Sequence, residues 1–319
     1  MDIDFLLALQ SFRQATGGVL DTAVRLFSDG GAVLFMAVVP LVIYLALDKN
    51  TGLFMGVCIT FSSIVGQAVK NIACVYRPWI RSSDLQPVAS ALSNATGYSF
   101  PSLHCTTTGS CVTSFWARWH SKVWIAVGIL LMLGMMFSRM YLGVHTPQDV
   151  VAGMLLGVIT VPFTAHVVRW VYAKDHRDYL LLGANVVFMA AFLAFFSLKG
   201  YPTDYVNGAL VVDPYPMVTD CYRTVGLYLG ILTIWTLDRH WIHYDVKRPW
   251  KIRVARCLLG LAAAGVCLTA LTAALTALLG AWWGHLIGYY AGIVAALGLV
   301  PALFMTYERR TGRFAQSQE

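Results

Sequence analysis

Ser138-Arg139-Met140-Tyr141-Leu142-Gly143-Val144-His145-Thr146-Pro147-Gln148-Asp149 lies between two long apolar segments. It places an arginine, a histidine and an aspartate where a membrane protein seldom carries charge without a use for it. Just past the histidine the sequence reads as a helix start. Thr146 suits the N-cap, Pro147 the first helical position, and Asp149 can return a hydrogen bond from three residues on. His145 is thereby expected at the mouth of a helix, with a carboxylate near enough to orient its ring. On its own the stretch is equally readable as a capping motif flanked by interfacial basic residues.

Composition supplies the frame. Hydrophobic residues make up 58% of the 319, and only 12% are charged, against roughly 25% in a soluble domain. Mean hydropathy is +0.64. Several apolar stretches approach the roughly 20 residues a helix needs to cross a bilayer. The chain therefore reads as an all-α, polytopic membrane helical bundle. Nine spans are expected, at about 31–48, 51–73, 101–117, 122–138, 147–172, 179–198, 221–238, 254–279 and 284–306. Residues 1–30 carry apolar positions at helical spacing (Phe5, Leu6, Leu9, Phe12) and read as an amphipathic segment on the membrane surface. The expected organisation is that segment, a catalytic core at 31–178 and a carboxy-terminal membrane extension at 179–319. Met1–Asp29 is acidic and amphipathic, so no cleavable signal is expected there. The seven cysteines are scattered without CxxC spacing and read as packing residues, not as a metal site.

Nine spans put the termini on opposite faces. Eight of the 23 Lys and Arg fall on the face with the amino terminus and His145, and fifteen on the other. The positive-inside rule then puts the carboxyl terminus in the cytoplasm and His145 on the outer or luminal side. The net charge of +7 is thus evidence about orientation, and no nucleic-acid partner is expected.

Two further stretches share the face of His145. In Lys70-Asn-Ile-Ala-Cys-Val-Tyr-Arg77-Pro78 the two cations are seven apart, two turns along one side of a helix that Pro78 is expected to end. In Ser99-Phe-Pro101-Ser102-Leu103-His104 a proline again marks a helix start, whose free amides can bind phosphate. Singly these are snorkelling basic residues and an ordinary capped helix. Together they offer cations, two histidines, a hydroxyl and amides, an inventory for chemistry on a tetrahedral oxyanion.

In this order, K-x6-RP (Lys70–Pro78), PS-x-H (Pro101–His104) and SR-x5-H-x3-D (Ser138–Asp149) resemble the three-part signature of the type-2 phosphatidic acid phosphatase superfamily, which also includes the vanadium haloperoxidases. The resemblance covers roughly residues 51–172. The span count is similar to the glucose-6-phosphatase and sphingosine-phosphate phosphatase branches. It implies that His145 is the nucleophile, Asp149 holds its ring, and His104 protonates the leaving oxygen and then activates water. It also implies that Lys70, Arg77, Ser102, Arg139 and amides near Leu103 bind the phosphate. No metal or other cofactor is implied. Where the family usually has glycine, this chain has Leu103, which is expected to put a bulky side chain at the pocket mouth.

The implied activity is a metal-independent phosphatase at the membrane surface, acting on a lipid phosphate or diphosphate among membrane lipids. A small soluble phosphate ester, transfer to an acceptor other than water, and transport of a phosphorylated lipid without cleavage are the alternatives. Both histidines and Asp149 argue against the last, since binding alone needs only the cations. Loop 199–220 is expected on the catalytic face. Gly280, Gly284, Gly288 and Gly292 point to close helix packing. His240 and His243 read as structural. Oligomeric state is not legible.

Overall fold

The computed structural model describes residues 2–206 and 208–311. Met1, Asn207 and residues 312–319, which include Arg313 of the basic count, lie outside the described residues. The helices are α1 (Asp2–Ala15), α2 (Asp21–Leu47), α3 (Lys49–Ala73), α4 (Pro78–Arg81), α5 (Leu103–Trp116), α6 (Lys122–Tyr141), α7 (Pro147–Tyr172), α8 (Arg177–Leu198), α9 (Tyr215–Leu237), α10 (Trp250–Leu279) and α11 (Ala281–Glu308). A two-residue antiparallel pair, β1 (Tyr205–Val206) and β2 (Ala209–Leu210), lies in the loop before α9.

The all-α membrane class holds, but the count of nine spans does not follow. Among the described residues seven helical stretches are long and apolar enough to cross a membrane. The expected spans at 101–117 and 221–238 are not among them. α5 has 14 residues, about 21 Å of helix against a hydrocarbon core of about 30 Å, and it is rich in Ser and Thr. α9 carries Asp220, Arg223 and several threonines along its length. At the amino terminus, α2 runs unbroken from Asp21 to Leu47, so residues 21–30 are helically continuous with the first expected span.

The chain forms two compact units. The first comprises residues 1–36, 58–165 and 193–221 and holds all three signature stretches. Here α1 is clipped to the end of α4 and the loop after it: Arg81 Nη2 meets Asp2 Oδ2 at 2.7 Å, Gln10 donates to the Asp84 carbonyl at 3.0 Å, and Arg13 donates to the Gln86 carbonyl. Phe5 and Phe12 on the same helix stay exposed. α5 and α7 meet backbone to backbone. A Cβ at Gly153 would lie 2.4 Å from the Ser102 carbonyl oxygen, and one at Gly157 would lie 2.2 Å from that of Thr106. This small-xxx-small contact sets the start of α5 beside the start of α7. The site is built there.

The second unit comprises residues 37–57, 166–192 and 222–319. Three of the four expected glycines form a seam within it, whereas Gly280 takes φ +82° in the turn before α11, where an added Cβ would meet open space. Gly284 lies against Thr276 and Gly288 against Thr272, closing α11 onto α10 of the same chain. Fully buried Arg256 donates to Glu308 at 2.8 Å, and Arg248 reaches the other oxygen of that carboxylate at 2.8 Å. Because both charges are paired inside the unit, the arrangement ties α11 to α10. His240 is bonded to Asp178 at 2.6 Å and stacked on Tyr179. No group of three metal-ligating side chains occurs among the described residues.

Candidate active site

Lys70 is buried near the end of α3, where Nζ donates to the carbonyls of Tyr98 (2.8 Å) and Ser99 (3.2 Å). The helix does not carry on to Arg77 as the spacing predicts. It ends at Ala73, Cys74 takes φ +47°, and Arg77 is extended at φ −63°, ψ 150°. The residue before a proline is driven out of the helical region, and Pro78 starts α4 instead of stopping α3. The two cations therefore reach the site from a helix end and from a loop.

Arg77 is committed to the protein. Nε donates to the Gly97 carbonyl (3.0 Å) and Nη2 to that of Thr96 (2.9 Å). Nη1 donates to the Val144 carbonyl (2.9 Å) and meets His145 Nε2 at 3.0 Å. Arg139, wholly buried, is held differently. Nη1 donates to Ser28 of α2 at 2.8 Å, while Nε and Nη2 have no hydrogen-bond partner among the described residues. The Nε/Nη2 edge of a guanidinium is one of the forks that grips an oxyanion with two parallel bonds. Ser102 Oγ is also buried, with the Cys105 thiol as its side-chain neighbour. These donors fit a phosphoryl group.

The predicted helix start is as the sequence indicates. Asp149 Oδ2 accepts from the Thr146 amide at 2.8 Å, with the Asp149 amide 3.4 Å from Thr146 Oγ1. The amide of Ser102, expected free, is taken by the Asp149 carbonyl at 3.0 Å. His104 sits in the first turn of α5 and is partly exposed, whereas His145 is only 2% exposed. Leu103 is not simply at the pocket mouth. Its side chain lies against Gly66 of α3, where an added Cβ would come within 2.7 Å of it. Thus the leucine in the glycine position is met by a glycine opposite.

Burial, then the nearby guanidinium groups of Arg77 and Arg139 and the Lys70 ammonium, hold the His145 imidazole well below its usual pKa. The ring is neutral. Arginine cannot accept a hydrogen bond, so Nε2, 3.0 Å from Arg77 Nη1, must be the unprotonated nitrogen. A neutral, unprotonated Nε2 is able to act as a nucleophile at neutral pH. We expect kcat/KM, which reports the free enzyme, not to be lost as pH falls through 6.5 and to decline only below it, where the lowered His145 takes up a proton. A half-loss at pH 6.5 in a pH–rate profile would contradict this.

Residues 51–173 match the model of the PAP2 superfamily, and residues 222–311 match that of the PAP2 superfamily phosphatase transmembrane extension. The chain belongs to the PAP2 superfamily. A curated relative, the undecaprenyl-diphosphatase of Sulfolobus acidocaldarius, is 26% identical over 134 residues, which are 42% of this chain and 63% of that protein. The chain thus matches less than two thirds of that relative's length. No solved structure matches the chain. Every candidate residue carried over from the signature lies inside the PAP2 match. Ser28, which fixes Arg139, lies outside it, and the sequence reading missed it because 111 positions separate the pair. Ser99 was read only as part of a helix start, yet its hydroxyl is 2.5 Å from Asp149 Oδ2 and 3.4 Å from His145 Nδ1. The loop before α9, matched by neither model, attaches beside the PAP2 cations: Tyr201 donates to Asn71 at 2.8 Å, and Tyr76 bonds Asp204.

Proposed function

We propose that this chain is an integral-membrane phosphatase that hydrolyses a lipid phosphate or diphosphate through a phosphohistidine. The observation that carries the reading is a neutral His145 with its lone pair on Nε2, in a site where Arg139 holds two donors without a partner among the described residues. The name of the curated relative supports a lipid diphosphate as substrate.

In the first step Nε2 of His145 forms a bond to phosphorus as the bond to the leaving oxygen breaks, and His104 gives that oxygen its proton. The Arg77 N–H that meets Nε2 then bonds a phosphoryl oxygen instead. In the second step His104 takes a proton from water, whose oxygen attacks phosphorus and releases Nε2 and inorganic phosphate. Arg139, Ser102 and Lys70 balance the charge on the equatorial oxygens, where phosphoryl transfer needs it.

Purified protein should release phosphate from lipid diphosphates or lipid monophosphates faster than from sugar phosphates. The activity should persist in excess chelator and be inhibited by vanadate, because fixed cations do the work of a metal. Loss in chelator with restoration by magnesium would overturn the role given to Lys70, Arg77 and Arg139. Preference for sugar phosphates would move the substrate to the soluble esters.

Counted with α5 and α9 as crossings, the basic-residue bias supports a site on the non-cytoplasmic face with the carboxyl terminus inside. A cysteine placed at residue 85 should react with an impermeant thiol reagent in intact cells, above the background of the native cysteines, and one at residue 247 should not. The opposite pattern would reverse the orientation.

A further inference from the structure

We infer that Ser99 is a positioning residue, its hydroxyl forming the middle link of a chain that runs from His145 Nδ1–H to Ser99 Oγ–H to Asp149 Oδ2. This rests on the hydrolase reading above and adds a group that the three-part signature does not contain. The argument begins with proton placement. Arg77 can only donate, so Nε2 of the neutral His145 ring is the acceptor and the ring proton sits on Nδ1. The Ser99 backbone carbonyl accepts from this ring, and of the side-chain atoms Ser99 Oγ lies nearest Nδ1 at 3.4 Å, with Asp149 Oδ2 at 3.6 Å. The latter separation is too long for a hydrogen bond. The former is long, and catalytic hydrogen bonds commonly shorten once substrate is bound.

The serine proton is already placed. Ser99 Oγ lies 2.5 Å from Asp149 Oδ2, and the same oxygen accepts the Thr146 amide at 2.8 Å. An oxygen accepting from a backbone amide behaves as a carboxylate acceptor, so the short contact is Ser99 donating. That leaves the lone pairs of Oγ for the imidazole N–H. The backbone of Ser99 is fixed on both sides, its amide donating to the Val75 carbonyl at 2.7 Å and its carbonyl accepting from Lys70 at 3.2 Å. The hydroxyl is thus held by the same segment that seats the lysine. Asp149 orients His145 through Ser99, and the serine supports the tautomer that Arg77 requires.

Ser99→Ala removes the hydroxyl and keeps the carbonyl, which also bears on the imidazole, so the variant isolates the proposed link. In single-turnover assays of the detergent-purified full chain on a lipid diphosphate, phosphoenzyme formation and kcat should fall on the order of tenfold to a hundredfold, the range seen when a partner that orients an imidazole is lost. KM should stay within about twofold, because no phosphate donor is touched. Ser99→Thr keeps the hydroxyl and should recover most of the rate. Ser99→Ala combined with Asp149→Asn should be no slower than Asp149→Asn alone, since both act through one chain. An undiminished kcat in Ser99→Ala, a loss confined to KM, or additive effects in the double variant would overturn the assignment. So would equal losses in Ser99→Ala and Ser99→Thr, which would mark the site as a packing position. A wild-type protein inactive on every phosphorylated substrate would remove the hydrolase reading and this inference with it. An active wild type with an unaffected Ser99→Ala removes only the role of Ser99.

Discussion

His145→Ala should lose hydrolysis by roughly 10⁵-fold or more, because removing a nucleophile removes both chemical steps. The loss should not depend on the leaving group. His104→Ala should behave differently, since its task is to protonate the departing oxygen. A phenolate-type group leaves without much protonation, so this variant should keep more of its rate on an aryl phosphate than on an alkyl phosphate. Steady-state rates on the two substrates, measured side by side for both variants, separate the roles. Equal sensitivity of the two variants to the leaving group would show that the histidines have been assigned wrongly.

Arg139→Lys should lower kcat/KM on the order of 10²- to 10³-fold despite keeping the charge. The wild-type side chain is wholly buried, its Nη1 is fixed by Ser28, and its Nε and Nη2 have no hydrogen-bond partner among the described residues. A lysine cannot present that planar pair of donors, and a missing donor at developing charge typically costs a factor of this size. Arg77→Lys should fail for another reason. Arg77 donates to the carbonyls of Thr96, Gly97 and Val144, so its loss should show first as reduced thermal stability of the purified protein. If Arg139→Lys retains near wild-type kcat/KM, the guanidinium edge is not a phosphate clamp.

These two arginines also show what a sequence reading can reach. The Thr146–Asp149 cap was legible because it is local: threonine, proline and an acid at fixed offsets admit few other geometries. The all-α membrane class was legible from long apolar runs. The course of the chain between Lys70 and Arg77 was not. Seven residues look like two helical turns, and only the positive φ at Cys74 and the extended Arg77 break that reading. Ser28 was invisible for a different reason. No periodicity links α2 to an arginine more than a hundred residues later, and only the packed fold brings them to 2.8 Å. Leu103 looked like an obstruction because its partner, Gly66, lies on another helix. The count of nine exceeds the seven long apolar helices among the described residues because α5 is short and α9 polar, and length and hydropathy measure contact with lipid.

The central claim is that phosphorus becomes bonded to His145, and rapid quenching tests it most directly. Wild type, His104→Ala and His145→Ala are each mixed with a phosphorus-labelled aryl phosphate, quenched without acid and examined for label on the protein. With His104 gone, water lacks its base, so acid-labile label should accumulate on His104→Ala and be absent from His145→Ala. Label trapped on His145→Ala but not on His104→Ala would reverse the two roles, and undiminished hydrolysis in both variants would contradict the account.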